Sequence, residues 1–212
     1  MKAIIFDMDG VLVDSMPYHA AAWIKAFADV GIRIERNDIY ELEGSNHRQT
    51  VDIMFRRFGR VPTDKDVNEI SSKKIWIFNR IQHVIPFDGM KELLAELAPV
   101  YRLAVVSGSN HNTVHELMDS FFSSVFEVII DGDDVKKSKP DPEPYLMAVE
   151  KLGLPKEECI VIENAPLGIR SAKSAEVRCI AVLAYLGRES LKEADLVVES
   201  HRELGKAISA EA

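Results

Sequence analysis

Six short runs of β-branched and aliphatic residues constrain the fold more than any other feature. They are Ala3 to Phe6, Leu103 to Val106, Val128 to Ile130, Ile160 to Ile162, Ile180 to Val182 and Leu196 to Val198. Continuous apolar runs of this length suit strands buried on both faces. Between them apolar residues recur at helical spacing: Met90, Leu93, Leu94 and Leu97; Val114, Leu117 and Met118; Tyr145, Ala148, Val149 and Leu152; Ala165, Ile169 and Ala172. Each set falls on one helix face. Strands alternating with helices build βαβ units, whose right-handed crossovers close a mostly parallel sheet flanked by helices, an α/β fold.

The alternation breaks between Ser15 and Pro86. Only helical patterns occur there: Ala20, Trp23, Ile24, Phe27 and Val30 before Gly31; a short piece from Asn37 to Glu43; Val51, Met54, Phe55 and Phe58 before Gly59; and Val67, Ile70, Ile77, Phe78 and Ile81 after the cap candidate Thr63. The spacing predicts a helical domain over 15–86, inserted into a sheet domain made of 1–14 and 87–212. Pro17, Pro86 and Gly89 favour bends near the two crossings.

A chain of 212 residues is long enough for both units. No apolar run approaches the roughly 20 residues that span a bilayer, and Met1 to Phe6 reaches an acidic cluster too early for a signal peptide. A cytoplasmic protein without membrane partners is expected. The net charge of −8, from 26 basic and 34 acidic residues, opposes nucleic-acid binding, which needs basic surface. Cys159 and Cys179 adjoin apolar runs and read as buried free thiols.

In an open parallel sheet, ligands bind beyond the carboxyl ends of the strands. The first run is followed by Asp7, Asp9 and Gly10, the second by Ser107, Gly108, Ser109 and Asn110, the third by Asp131 to Asp134 with Lys139 beyond, and the fourth by Glu163 and Asn164. Carboxylates gathered at one edge repel each other and call for a hard divalent cation. Oxygen ligands suit Mg2+, which also takes substrate phosphate. Hydroxyl and ammonium donors neutralise phosphoryl oxygens. In such a site Asp7 can attack phosphorus as a carboxylate nucleophile, and Asp9 can carry the proton to the leaving alcohol and from the attacking water. Asp133 and Asp134 read as loop caps and stay outside the site.

The segment Asp7-Met8-Asp9-Gly10-Val11-Leu12-Val13-Asp14-Ser15 closely resembles the first motif of the haloacid-dehalogenase-like hydrolases. Val105 to Ser109 is similar to their second motif, Lys139-Pro140-Asp141-Pro142 with Tyr145 to the third, and Ile162 to Ile169 to the fourth. The four motifs are in order across essentially the whole chain. The resemblance implies a Rossmann-like core with a helical cap inserted after the first strand. It makes Asp7 the nucleophile and a metal ligand, and Asp9 the acid/base whose carbonyl also meets Mg2+. Ser107, with Gly108, holds the phosphoryl group, Lys139 balances its charge, and Glu163 with Asn164 is the metal-binding pair.

Two positions depart from the family pattern. Asn164 stands where an aspartate is usual, which removes a charge from the metal site, and Ser138 stands where a glycine often precedes the motif lysine. In the inserted helices Trp23 reads as core and His19 as a candidate to face the site. The stretch Glu43-Gly44-Ser45-Asn46-His47-Arg48 resembles the family's substrate loop. Arg48 there either holds a second anionic group or is a solvated helix arginine. The expected activity is Mg2+-dependent hydrolysis of a small phosphorylated metabolite, a sugar phosphate or similar, through an aspartyl phosphate. The alternative is a sugar-phosphate mutase resembling β-phosphoglucomutase.

Overall fold

The computed structural model describes residues 1–211. Its six strands are β1 (Ala3–Asp7), β2 (Arg102–Val106), β3 (Val128–Ile130), β4 (Cys159–Glu163), β5 (Arg178–Val182) and β6 (Leu196–Val198). They lie in the order β3-β2-β1-β4-β5-β6, and every neighbouring pair is parallel. The chain starts in the middle, winds to one edge, returns across β1 and continues to the other. Adjacent connections therefore diverge between β1 and β4, the switch point at which such sheets bind ligands.

β1 pairs on both sides, Ile5 opposite Ala104 on β2 and opposite Val161 on β4. Its residues alternate between two cores, Ile4 and Phe6 entering one, and Ala3 and Ile5 the other with Tyr145, Ala148 and Leu152. This two-sided burial is why β1 reads as an unbroken apolar run. Cys159 and Cys179 are buried free thiols.

Between β1 and β2 the chain makes α1 (Met16–Ala28), α2 (Arg36–Tyr40), α3 (His47–Arg57) and α4 (Asp64–Ile81), then α5 (Met90–Leu97). The remaining helices are α6 (His111–Phe122), α7 (Glu143–Leu152), α8 (Pro166–Ser174) and α9 (Leu204–Ser209). Thr63 opens α4 with a capping box: its hydroxyl accepts from Asp66 N at 3.2 Å, and the Asp66 carboxylate accepts from Thr63 N at 2.8 Å. Trp23, Phe27, Val51, Met54, Phe55, Ile70 and Phe78 bury the apolar faces of these helices. Phe58 does not join them. α3 ends at Arg57, so Phe58 falls in the turn before Gly59 and is 46% exposed.

The two crossings into the insert run side by side. Val13 forms an antiparallel bridge with Pro86, Asp14 N donates to Ile85 O at 2.8 Å, and Phe87 N donates to Leu12 O at 3.1 Å. A joint of two adjoining backbone segments places the insert directly over the end of β1. No helix among the described residues is long and apolar enough to cross a membrane.

Candidate active site

β1 delivers Asp7 at its carboxyl end, and the chain turns at once through Gly10, whose φ is +90°. A side chain there would be strained, and its Cβ would collide with the Asn164 amide. Asp7 Oδ1 accepts from Lys139 Nζ at 2.5 Å, and the same ammonium donates to Glu163 Oε1 at 2.8 Å. Tyr145 OH also donates to Glu163 Oε1, and the backbone N–H groups of Asn164 and Ala165 reach Glu163 Oε2 at 2.9 and 3.1 Å. Burial raises the Asp7 carboxyl well above the ordinary range, with Lys139 opposing and Glu163 and Asp9 adding to the rise. Burial works against the Lys139 ammonium, but Asp7 and Glu163 outweigh it and hold the lysine charged.

Asp9 gathers donors. Ser15 donates to Oδ1, and Ser107 and Ser109 each donate to Oδ2 at 3.2 Å. Ser15 is the N-cap residue of α1 but makes no side-chain cap bond, since its hydroxyl is committed to Asp9. His19 Nε2 lies 3.3 Å from Asp9 Oδ1, while Lys74 Nζ donates to His19 Nδ1 at 2.9 Å. With Nδ1 accepting, the neutral ring carries its proton on Nε2, toward Asp9. Burial alone would raise the Asp9 carboxyl; His19, Ser15 and Lys74 outweigh it and bring it down to about 2. Burial, with the Lys74 charge, lowers His19. Burial also lowers Lys74 to about 8, against the pull of Asp9.

The insert closes directly on this floor. A Cβ on Gly108 would lie 2.9 Å from Gly44 O, so two backbones meet where no side chain intervenes. Asn164 Nδ2 donates to Glu43 Oε2 at 2.9 Å. Ser138, where the family often has glycine, bridges the same seam: it donates to Gln49 Oε1 at 2.6 Å and accepts from Asn46 N at 3.3 Å. The cavity between insert and floor, about 50 Å³, is lined by Asp7, Asp9, His19, Glu43, His47 and Lys74 among others. A volume of this size holds a few waters.

The donor set fits a hard cation. Asp7 Oδ2, Glu43 Oε1 and Asn164 Oδ1 are buried oxygens without a hydrogen-bond partner. Glu43 bonds Asn164 and stands with Asp7 on the wall of the cavity. Buried acceptors are rarely left unpaired, and three oxygens without a donor are what Mg2+ would satisfy. Burial and the Asp7, Glu163 and Asp9 charges push Glu43 well above the usual carboxylate range, a repulsion that a bound cation relieves.

The structure brings Asp7, Asp9, Ser107, Gly108, Lys139, Glu163, Asn164 and His19 to one place. The two oxygens of Glu163, expected with Asn164 as the metal-binding pair, accept four donors, the Lys139 ammonium among them. Arg48 is not brought in. Its side chain is 57% exposed and pairs with Asp64 at 2.7 Å; it lies outside the central cavity, in a neighbouring cleft that it shares with His47, Gly108 and Asn110. The sequence motifs contain Ser15, Glu43, His47 and Ser109 without giving them individual roles, and sequence reasoning missed Lys74. For Lys74 a signal existed: it falls on the apolar face formed by Val67, Ile70, Ile77 and Phe78, where a charge is out of place.

Residues 4–182 match the family model of haloacid dehalogenase-like hydrolases, and the chain belongs to that family. Within it, the chain falls in the β-phosphoglucomutase- and CbbY-like branch. A putative β-phosphoglucomutase from Bacteroides vulgatus is similar in structure with a TM-score of 0.92 and 34% identity, over 100% of this chain and 88% of that one. Hexitol phosphatase A of Escherichia coli is 28% identical over 94% of this chain and 91% of its own. β-Phosphoglucomutase of Bacillus subtilis is 28% identical over 96% and 92%.

Proposed function

We propose that the protein is a Mg2+-dependent phosphatase that hydrolyses a small phosphorylated metabolite, a sugar phosphate or similar, through an aspartyl phosphate on Asp7. The observation that carries this reading is the asymmetric holding of the Asp7 carboxylate. One oxygen is tied to Lys139 and the other is buried without a donor, so a single carboxylate can meet a cation and attack phosphorus. Phosphatases among the relatives, including one for phosphorylated carbohydrates from Thermotoga maritima, support it.

Asp7, the Asp9 carbonyl, Asn164 and Glu163 would hold Mg2+, with Glu43 adding a carboxylate from the insert; the ion when bound supplies positive charge to the phosphoryl oxygens. Asp7 attacks phosphorus and the leaving oxygen departs with a proton from Asp9. A phosphate dianion beside Asp9 is a like charge that raises its carboxyl again, which equips it to give that proton. In the second step Asp9 removes a proton from water, and the water oxygen displaces Asp7 from phosphorus. Ser107 and the backbone at Gly108 orient the phosphoryl group, and Lys139 balances the charge passing through Asp7. Residues 15–86 act as the cap that excludes bulk water and selects the leaving group.

Hydrolysis is favoured over phosphoryl exchange between two positions of a sugar by the placement of Arg48. A mutase must hold a second phosphate, and the arginine suited to it is paired with Asp64 in a cleft beside the cavity, not within it. A screen of phosphorylated metabolites for released phosphate identifies the substrate. Mass spectrometry with a trapped phosphoryl analogue is expected to place the adduct on Asp7. Full activity in Asp7→Ala would sink the mechanism. Conversion of β-glucose 1-phosphate to glucose 6-phosphate without free phosphate, given a bisphosphate primer, would establish the mutase instead.

A further inference from the structure

Away from the catalytic floor, three side chains converge between the start of α6 and the end of β3. Asp131 follows β3 and its carboxylate is 2% exposed. His111 and His115 sit one turn apart on α6, a spacing that puts both rings on one helix face. His111 Nδ1 lies 2.7 Å and His115 Nε2 3.7 Å from the same oxygen, Asp131 Oδ2. The two ring centroids are 4.1 Å apart, and one ligating atom from each of the three residues fits within 4.8 Å.

A buried carboxylate requires a compensating charge. Among the described residues no lysine or arginine pairs with Asp131; its ionic neighbours are these two imidazoles. The other oxygen is already satisfied, since Asp133 N donates to Oδ1 at 2.9 Å. Oδ2 therefore faces two nitrogen ligands across distances that bracket the roughly 3.3 Å edge of a tetrahedron around Zn2+. His111 and His115 have side chains 60% and 39% exposed, so an ion can enter from solvent and keep water in the fourth position.

We infer that His111, His115 and Asp131 form a binding site for a transition-metal dication of the Zn2+ class, separate from the Mg2+ site. Ligand chemistry separates the two. Two imidazoles with one carboxylate favour Zn2+ and its neighbours in the transition series, whereas the all-oxygen set around Asp7 favours Mg2+. The position gives the site a mechanical consequence. α6 begins directly after the loop of Ser107 to Asn110, and Gly132 N donates to Ser109 O at 2.8 Å. A metal at this point ties the phosphate-binding loop of β2 to the loop after β3 at a second place.

The test is titration of the full-length, chelator-treated protein with Co2+ as a spectroscopic probe and with Zn2+ by calorimetry. Excess Mg2+ occupies the catalytic site throughout. One equivalent of Co2+ is expected to give the visible absorption of a low-coordinate nitrogen and oxygen site, and Zn2+ is expected to displace it. His115→Ala and the double variant His111→Gln/His115→Gln should each weaken Zn2+ binding roughly 100-fold or more. Both histidines reach solvent, so the variants should fold, which circular dichroism verifies; Asp131→Asn serves as a third variant where it folds. Absence of Zn2+ binding to the wild-type protein at submillimolar concentration would overturn the site and leave an ion pair that joins two loops. An unchanged stoichiometry and affinity in the double variant would overturn it equally, by placing the ion on other ligands. Neither outcome depends on turnover, so failure here is distinct from failure of the phosphatase reading.

Discussion

The sheet edge and the insert contribute to the same cavity by different rules. At the edge, Asp7, Ser107, Lys139 and Glu163 project from strands or from loops tied to them, and each holds its place through buried hydrogen bonds within the core. On the opposite side Glu43, His47 and Lys74 come from three separate pieces of a helical insert, and they reach the cavity through the packing of the insert on the sheet edge. The floor is thus held by the core, whereas the roof depends on contacts between the insert and the sheet edge.

The largest expected effect falls on the floor. Asp7→Asn should reduce turnover by about 10⁴-fold or more, because removal of a nucleophile leaves only binding and charge stabilisation; steady-state phosphate release measures it. The next largest crosses to the roof. Glu43→Gln should weaken Mg2+ half-saturation by about 10- to 100-fold, read by calorimetry as well as by activity. In that background Asn164→Asp should restore most of the loss, since it returns a carboxylate to the side of the site that Asn164 occupies. If Asn164→Asp alone strengthens Mg2+ binding while Glu43→Gln does nothing, the cap contributes no ligand and the contrast between floor and roof fails.

The floor was legible because strand ends are legible. Each apolar run stops abruptly, and the residues just beyond it must lie along one edge of a parallel sheet, so the pattern of runs by itself puts Asp7, Ser107 and Glu163 together. The helical insert was legible as a break in that alternation, and Thr63 as the cap of α4. The roof residues were not, because which side of a helix faces a distant strand depends on packing between two bodies. Glu43 sits in a turn without periodicity, and nothing local marks its carboxylate as the partner of Asn164. His47 and Arg48 are adjacent, and only the direction of α3 decides which one enters. Ser138 read as a mild irregularity and proved to be a hydrogen-bonded bridge to Gln49 and Asn46.

The roof also contributes a pH dependence of its own. Lys74 is buried and its ammonium is lowered from 10.5 to about 8. Between those values the unfolded chain keeps a proton that the folded protein has lost, so stability rises with pH through this window as far as Lys74 is concerned. Below about pH 8 both states are protonated and the contribution is flat. The span corresponds to on the order of 3 kcal/mol, and denaturant unfolding of wild type against Lys74→Met at a series of pH values isolates it. An identical pH slope in the two proteins would mean that the ammonium reaches water and the roof is open in solution.

Smaller still is the loss expected in Ser138→Gly. It removes the hydroxyl between Gln49 and Asn46, worth about 1 kcal/mol, and should appear as faster hydrogen exchange in 42–50 with turnover reduced only a few-fold. A change confined to the core would show that Ser138 acts on the turn before Lys139 and not on closure.

The finest contrast is between neighbours in the roof. Arg48 is exposed and paired with Asp64, an arrangement worth at most about 1 kcal/mol, so Arg48→Ala should leave kcat/KM for the cognate substrate within about twofold. His47→Ala should have the larger effect, because His47 lines the cavity, lies 3.4 Å from Lys74 Nζ and packs edge-on against Trp23. Its ring is lowered to about 3 by burial and by the Lys74 and His19 charges, so it is neutral throughout the working range and its removal should alter KM without adding a pH limb. If the order is reversed, with Arg48→Ala raising KM selectively for a substrate that bears two phosphates, then α3 turns in the bound state to bring Arg48 inward. The second anion site required of a mutase would then exist after all.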